Sequence, residues 1–143
     1  MRKRTLAREV ALKILYANDI TAESVSECGR KFWENSEIPR SENFSGFLAS
    51  GVDSNKEVID KMIVKYAENW RLERMASIDR NVLRIAVFEL LFDKETPPKV
   101  VINEAIEMAK KYGDMNSGKF VNGILDKINK MERKESLSDS DTC

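Results

Sequence analysis

The stretch "IDRNVLRIAVFELLF", residues 78–92, limits the fold more than any other part of the chain. From Val82 onward nearly every position is apolar, so a helix here is apolar almost all round. Such a helix cannot lie on a surface. It must sit at the centre of the fold with other helices around it. Arg84 and Glu89 are the exceptions. They project about 140° apart at 100° per residue, too far to pair with each other. Each needs a partner on another helix, or a path that lets its charged head reach water.

The rest of the chain supplies candidates for that surrounding layer. With 143 residues there is room for one domain with a real core. Three prolines, six glycines and no long alternation of β-branched residues point to an all-α fold. A first helix is predicted over 5–18. Leu6, Val10, Ile14 and Ala17 form its apolar stripe, broadened by Ala7, Ala11 and Leu15. Tyr16 projects about 120° from the centre of that stripe and should be at least partly exposed. A weaker helix over 22–35 ends at "NSEIPRS", and Ser41 could cap the next one. Phe44, Phe47, Leu48, Gly51, Val52, Val58, Ile59, Met62, Ile63, Tyr66 and Trp70 fit one long helical face. Asp53, Ser54 and Asn55 are poor helix formers in its middle and mark a bend or break. "RLERMAS" reads as a connector with a short helical turn before the central helix.

After the central helix, "KETPPK" is a clear interruption. Pro98 suits the first turn of a helix over 99–112 whose inner face is Val101, Ala105, Met108 and Tyr112. Glu107 and Lys111 have the spacing of an outer ion pair, and Gly113 is the expected stop. "DMNS" offers caps for a last helix over 118–131, with Val121, Ile124, Leu125 and Ile128 inward. The domain is therefore read as 1–131. The stretch 132–143, polar and mixed in sign, is expected to be a disordered tail.

Composition removes several function classes. No segment approaches the ~20 apolar residues of a membrane span, and no apolar signal-peptide core comes after the basic start. The two cysteines, Cys28 and Cys143, form no metal spacing and no disulfide framework. Histidine is absent, which takes away the commonest general base and metal ligand. Neither a metal nor a cofactor is expected, and a reducing cytoplasm is the natural setting.

Charge is balanced, with 24 basic and 24 acidic side chains, but it is unevenly placed. Residues 2–13 hold Arg2, Lys3, Arg4, Arg8 and Lys13 against Glu9 alone. In the last helix Gly123 points away from the apolar stripe, onto the face of Lys119, Lys127 and Lys130, with Phe120 at the border. A glycine there costs about 1 kcal/mol against alanine. Two readings stand. The lysines and the arm are solvated surface, with Phe120 and Tyr16 half packed. Alternatively, cations and rings form a surface for single-stranded RNA or DNA, which is read by stacking and phosphate contacts.

"VLRIAVFELLF", "PPKVVINEAIEMAKKYG" and "SGKFVNGILDKI", in that order, resemble the NusB transcription-antitermination family, and "LAREVALKILYA" resembles its first helix. The resemblance covers the chain to about residue 131. It implies an all-α, NusB-like fold of two small helical bundles, about seven helices in all, without catalysis. It also implies binding of boxA leader RNA together with NusE, a ribosomal small-subunit protein. Through that pair the chain would join other Nus factors on RNA polymerase and suppress premature termination of rRNA transcription. By position, the family's RNA contacts fall on Arg2, Lys3, Arg4, Arg8, Tyr16, Asn116, Lys119 and Phe120. A contact near the junction of RNA and NusE falls on Asp79, just before the central helix. The arginine run is interrupted by Thr5 and Leu6, and Asn116 stands where some relatives carry an acid. The same resemblance admits two alternatives. One is a regulatory homodimer that occludes the RNA surface. The other is a stand-alone form of the NusB-like domain found on RNA cytosine methyltransferases, though no glycine-rich cofactor loop is present.

Overall fold

A computed structural model of the chain describes residues 2–38, 43–68 and 70–133, with the backbone alone for Arg2 and Arg133. Among the described residues there are seven α-helices and no strand. They are α1 (Arg2–Thr21), α2 (Val25–Glu34), α3 (Asn43–Ser54), α4 (Lys56–Tyr66), α5 (Ser77–Phe92), α6 (Pro98–Tyr112) and α7 (Ser117–Ile128). A 3-10 turn at Leu72–Arg74 precedes α5, and a π-helical turn at Asn129–Arg133 succeeds α7. The proposed Ser41 cap and the tail beyond residue 133 lie outside the described residues. No helix among the described residues is long and apolar enough to cross a membrane.

Helix α5 is the axis, and all ten residues from 81 to 90 are buried. The first bundle, α1, α2 and α3, packs on it through α1 and α3; α4, α6 and α7 enclose it from the second. Both charged side chains within α5 find partners on other helices, as the wheel requires. Glu89, 1 % exposed, accepts two hydrogen bonds from Arg8 of α1: Nε to Oε2 at 2.9 Å and Nη2 to Oε1 at 2.8 Å. Arg8 Nη1 also reaches Glu104 of α6 at 3.3 Å. Burial pushes the Glu89 carboxyl above its ordinary range, and the Arg8 guanidinium opposes that shift. At the other end of α5, Arg84 makes two hydrogen bonds to Asp60 of α4, at 2.8 and 3.1 Å. Arg80 bonds Asp19 of α1 and the carbonyls of Leu72 and Met75.

The Arg8 pair turns α1 away from the expected stripe. Leu6 is 43 % exposed, while Arg8, Val10, Ala11, Leu12, Ile14 and Leu15 are buried. The inner face is centred near Ala11, because α5 offers a carboxylate that draws position 8 inward. Helix α1 ends at Thr21, and Ala22 comes next in the left-handed region at φ 63. Such a conformation is rare for a residue with a side chain.

The long face over 43–70 is cut at Asn55. Its backbone N–H and its side-chain Nδ2 both donate to the Gly51 carbonyl, at 3.1 and 2.8 Å. This closes the last turn of α3, and α4 begins anew at Lys56. Phe47 and Val58, and Trp70 beyond the end of α4, are about half exposed instead of sharing one buried seam. Helix α6 keeps its predicted inner face, but the Glu107–Lys111 pair does not form. Lys111 crosses to Glu9 of α1 at 2.8 Å, and the Tyr112 hydroxyl donates to the same carboxylate. Burial would raise the Glu9 carboxyl, but these two bonds hold it below the usual range.

The ionic framework can be measured in two ways. Arg8→Ala strands Glu89 in the core and should cost about 3–5 kcal/mol in urea unfolding, while Arg8→Met with Glu89→Leu should recover most of the loss. Burial would raise the Asp19 carboxyl, but bonds from Arg80, Ser77 and Asn81 hold it below the ordinary value. Its stabilising contribution is therefore complete above the unfolded value of about 3.9 and is lost as pH falls through the depressed folded value. Asp19→Asn should flatten the acid limb of the stability–pH curve, measured by thermal melts.

Candidate nucleic-acid interface

The start of α7 is set by its connector. Tyr112 ends α6, and Gly113 turns the chain with φ −96, so a left-handed backbone is not what demands glycine. Space demands it: a Cβ on Gly113 would lie 2.4 Å from Ser117 Oγ and 2.7 Å from the Ala109 carbonyl oxygen. Ser117 is buried, and its Oγ accepts from the Asp114 backbone N–H at 3.0 Å. Asp114 Oδ1 accepts from the Asn116 N–H at 2.8 Å. Asn116 occupies the N-cap position, yet its side chain makes no capping bond and is exposed. The connector thus caps itself and leaves the Asn116 amide facing out.

On α7, Lys119 is exposed and has no carboxylate partner among the described residues. Lys127 pairs with Glu68 at 3.4 Å, and Lys130 with Asp126 at 3.1 Å, so two of the three lysines on that face are engaged. Phe120 is half-buried and packs edge-on against Trp70, with ring centroids 5.5 Å apart. Gly123 is exposed, and a Cβ there would meet nothing within 4 Å. No packing among the described residues calls for glycine at that position. Asp79, in the first turn of α5, is buried close behind, while the Ser117 hydroxyl donates to Asp114 Oδ1 at 3.3 Å.

The N-terminal arm divides. Lys3 and Arg4 are exposed. Arg4 donates to Thr96 Oγ1 at 3.2 Å, and its guanidinium lies 4.4 Å from the Phe44 ring centroid. It borders a surface hollow with Phe47, Phe92 and Asp93. The Arg2 side chain lies outside the described residues. Arg8 is not a surface cation: it is 2 % exposed and saturated by Glu89 and Glu104, so an RNA strand cannot reach it. Its spacing holds the clue, because Ala11, Leu12 and Leu15 are its i+3, i+4 and i+7 neighbours on the inner face.

Tyr16 is 40 % exposed, as its wheel position requires. It lies about 18 Å along α1 from Arg4 and about 120° around it. The expected residues therefore form two groups, with Lys3 and Arg4 near the end of α5, and Asn116, Lys119 and Phe120 near its start. Lys13, one turn before Tyr16, stands 5.8 Å from the Tyr112 ring centroid at the end of α6. It links the α1 side to the connector before α7. Sequence reasoning counts Lys13 in the basic cluster without giving it a role, and it treats Trp70 as core. Only the break at Asn55, which removes Trp70 from a common buried seam, hints otherwise. Among the described residues no cluster of His, Cys, Asp and Glu could hold a metal ion.

Residues 5–130 match the family model described as "NusB family". A "Transcription antitermination protein NusB" from Anaeromyxobacter dehalogenans is 49 % identical over 128 residues, covering 88 % of this chain and 89 % of the relative. Another, from Desulfitobacterium hafniense, is 46 % identical over 142 residues, covering 97 % and 96 %. Among solved structures, T. maritima NusB superposes with a TM-score of 0.83 at 38 % identity, over 94 % of this chain and 96 % of that one. A structure of the antitermination factors NusB and NusE in complex with dsRNA matches with a TM-score of 0.82 at 33 % identity, over 91 % and 98 %. With its central apolar helix, its two helical bundles and this likeness along nearly its whole length, the chain belongs to the NusB family.

Proposed function

We propose that this protein is a non-enzymatic RNA-binding adaptor of transcription antitermination, acting in the cytoplasm. It binds boxA leader RNA together with NusE and supports rRNA transcription through the other Nus factors on RNA polymerase. The observation that carries this reading is family membership, in a family one of whose solved members is held with NusE and RNA. The surface is chemically suited to the task. Lys3, Arg4, Lys13 and Lys119, with Arg2, neutralise phosphates; Tyr16 and Phe120 offer rings to unpaired bases; Asn116 supplies an uncommitted amide. Asp79 belongs to the side of the protein partner. Arg8 has a different part: it holds α1 against α5 and so keeps the arm and Tyr16 in register. Residues 1–131 are the working unit, and Glu132, just beyond it, ties the turn after α7 to α4 by accepting from Lys65 Nζ at 3.3 Å and from the Tyr66 hydroxyl.

The two groups of residues lie far enough apart that one strand must pass over several nucleotides to touch both. Arg4→Ala and Phe120→Ala should each weaken boxA binding about tenfold or more in filter binding, with unchanged helical content by circular dichroism. The arginine variant should also show a shallower dependence on salt, since a phosphate contact is lost. Unchanged affinity in both variants would sink the assignment of this surface. Gly123→Ala should raise stability by about 1 kcal/mol, because the added methyl meets nothing and helix propensity improves. If the strand runs close to that backbone, the same variant should bind RNA more weakly, as a paired melt and binding titration would reveal.

A further inference from the structure

Arg4 is exposed, yet its guanidinium is held from two sides. It lies 4.4 Å from the centroid of the Phe44 ring on α3, and its Nη1 donates to Thr96 Oγ1 at 3.2 Å. Thr96, in the loop between α5 and α6, is only 5 % exposed. Its hydroxyl donates to Asp93 Oδ2 at 3.1 Å, which turns its lone pairs toward the arginine. Asp93 is fixed in turn, because its Oδ1 accepts from the Glu95 backbone N–H at 3.2 Å. The acceptor for Arg4 is therefore oriented by its own loop.

The ring is fixed as well. Phe44 stacks on Phe47 with centroids 6.1 Å apart, Phe47 meets Phe88 edge-on at 5.2 Å, and Phe88 stacks on Phe92 at 5.5 Å. Phe88 is the buried base of this ladder, and a Cβ on Gly51 of α3 would overlap its ring. The buried Arg8 guanidinium, locked by Glu89, lies 5.3 Å from the same Phe44 ring. A guanidinium has five N–H donors; contact with a ring face uses none of them, and the Thr96 bond uses one. The donors that remain share one plane and suit the paired oxygens of a phosphate.

We infer that Phe44 and Thr96 are positioning residues for RNA binding, which hold the Arg4 guanidinium in the free protein in the attitude from which it takes a phosphate. The inference rests on the proposed adaptor function. A long side chain ordered in advance does not lose its rotamer freedom at the moment of association. That gain matters in an arm whose arginine run is interrupted by Thr5 and Leu6, because few cations are left to share the work. Periodicity places Phe44 on a helical face and Thr96 in a helix break, and neither pattern points to RNA.

The test uses the full chain and boxA RNA in filter-binding titrations at several salt concentrations. Phe44→Leu and Thr96→Val should each weaken binding about three- to tenfold, the effect of having to order one long side chain on association. Neither variant removes a charge, so the salt dependence should match the parent's, whereas Arg4→Ala makes it shallower. Arg4→Lys should keep the salt dependence and still bind more weakly, because an ammonium has no flat face. Phe44→Tyr keeps the ring and should restore affinity. In the free protein the Phe44 ring current should displace the Arg4 side-chain proton resonances, and the displacement should vanish in Phe44→Leu. On an Arg4→Ala background, Phe44→Leu and Thr96→Val should weaken binding no further, as expected of residues that act through Arg4. Equal losses with and without Arg4 would make them general structural residues and overturn the inference. Should parental affinity survive in both variants while Arg4→Ala still binds weakly, the cradle is overturned and the adaptor reading stands. Failure of the unaltered protein to bind boxA RNA overturns both.

Discussion

The fold depends on a helix that cannot face water. With residues 81 to 90 all buried, α5 is tolerable only if other helices enclose it, and it carries two charges that must be neutralised there. Hydrophobic burial is non-directional, so the apolar surface of α5 alone would accept many arrangements of its neighbours. The ion pairs are directional. Arg8 joins α1 to α5 and α6 near one end of the axis, and Arg84 with Arg80 joins α5 to α4 and α1 near the other. These bonds fix the rotation of α1, which a stripe of small and aliphatic side chains would leave loose. A buried pair is not by itself strong evidence of net stabilisation, because desolvation offsets the attraction. Its value here lies in choosing one packing among several.

The same framework decides which basic residues are available outside. Arg4 and Arg8 are one helical turn apart in the same arm. Arg8 meets Glu89 and disappears into the core, whereas Arg4 stands at the end of the packed layer, over Phe44, and stays exposed. Lys127 and Lys130 look equivalent to Lys119 on a wheel, yet each has a carboxylate at hand. The net charge of zero therefore conceals a small set of exposed cations near α1 and the start of α7 that have no carboxylate partner among the described residues. Beside them lies a cleft bordered by Trp70 and Phe120 that carries two acidic residues, Asp79 and Asp114.

Much of this architecture is legible in the chain. The central helix, the need of Arg84 and Glu89 for outside partners, the break near Asn55, the entry of α6 at Pro98 and the exposure of Tyr16 all come from periodicity and local propensity. These are properties of a single helix, set by its own residues. Contacts between helices are a different matter. A wheel centres the stripe of α1 on Val10 and Ile14, because it weighs only apolar residues and is blind to the carboxylate that α5 supplies. Spacing matches Glu107 to Lys111, but Lys111 finds Glu9 on another helix. Gly113 is the stop that the sequence predicts, for a different reason: crowding by Ser117 and Ala109, not a left-handed backbone, excludes a side chain there.

By itself the sequence determined the fold class, the helix boundaries to within a few residues, the identity of the enclosed helix and the family. Those depend on hydrophobic period and local backbone preference, which are written in neighbouring residues. Only the tertiary structure decided that Arg8 is core and Arg4 is surface, that Trp70 borders a cleft, and that one oxygen of Asp79 has no hydrogen-bond partner among the described residues. Electrostatic pairing and burial depend on groups far apart in the chain, and the energy of a charge is set by what the fold brings within a few ångströms of it.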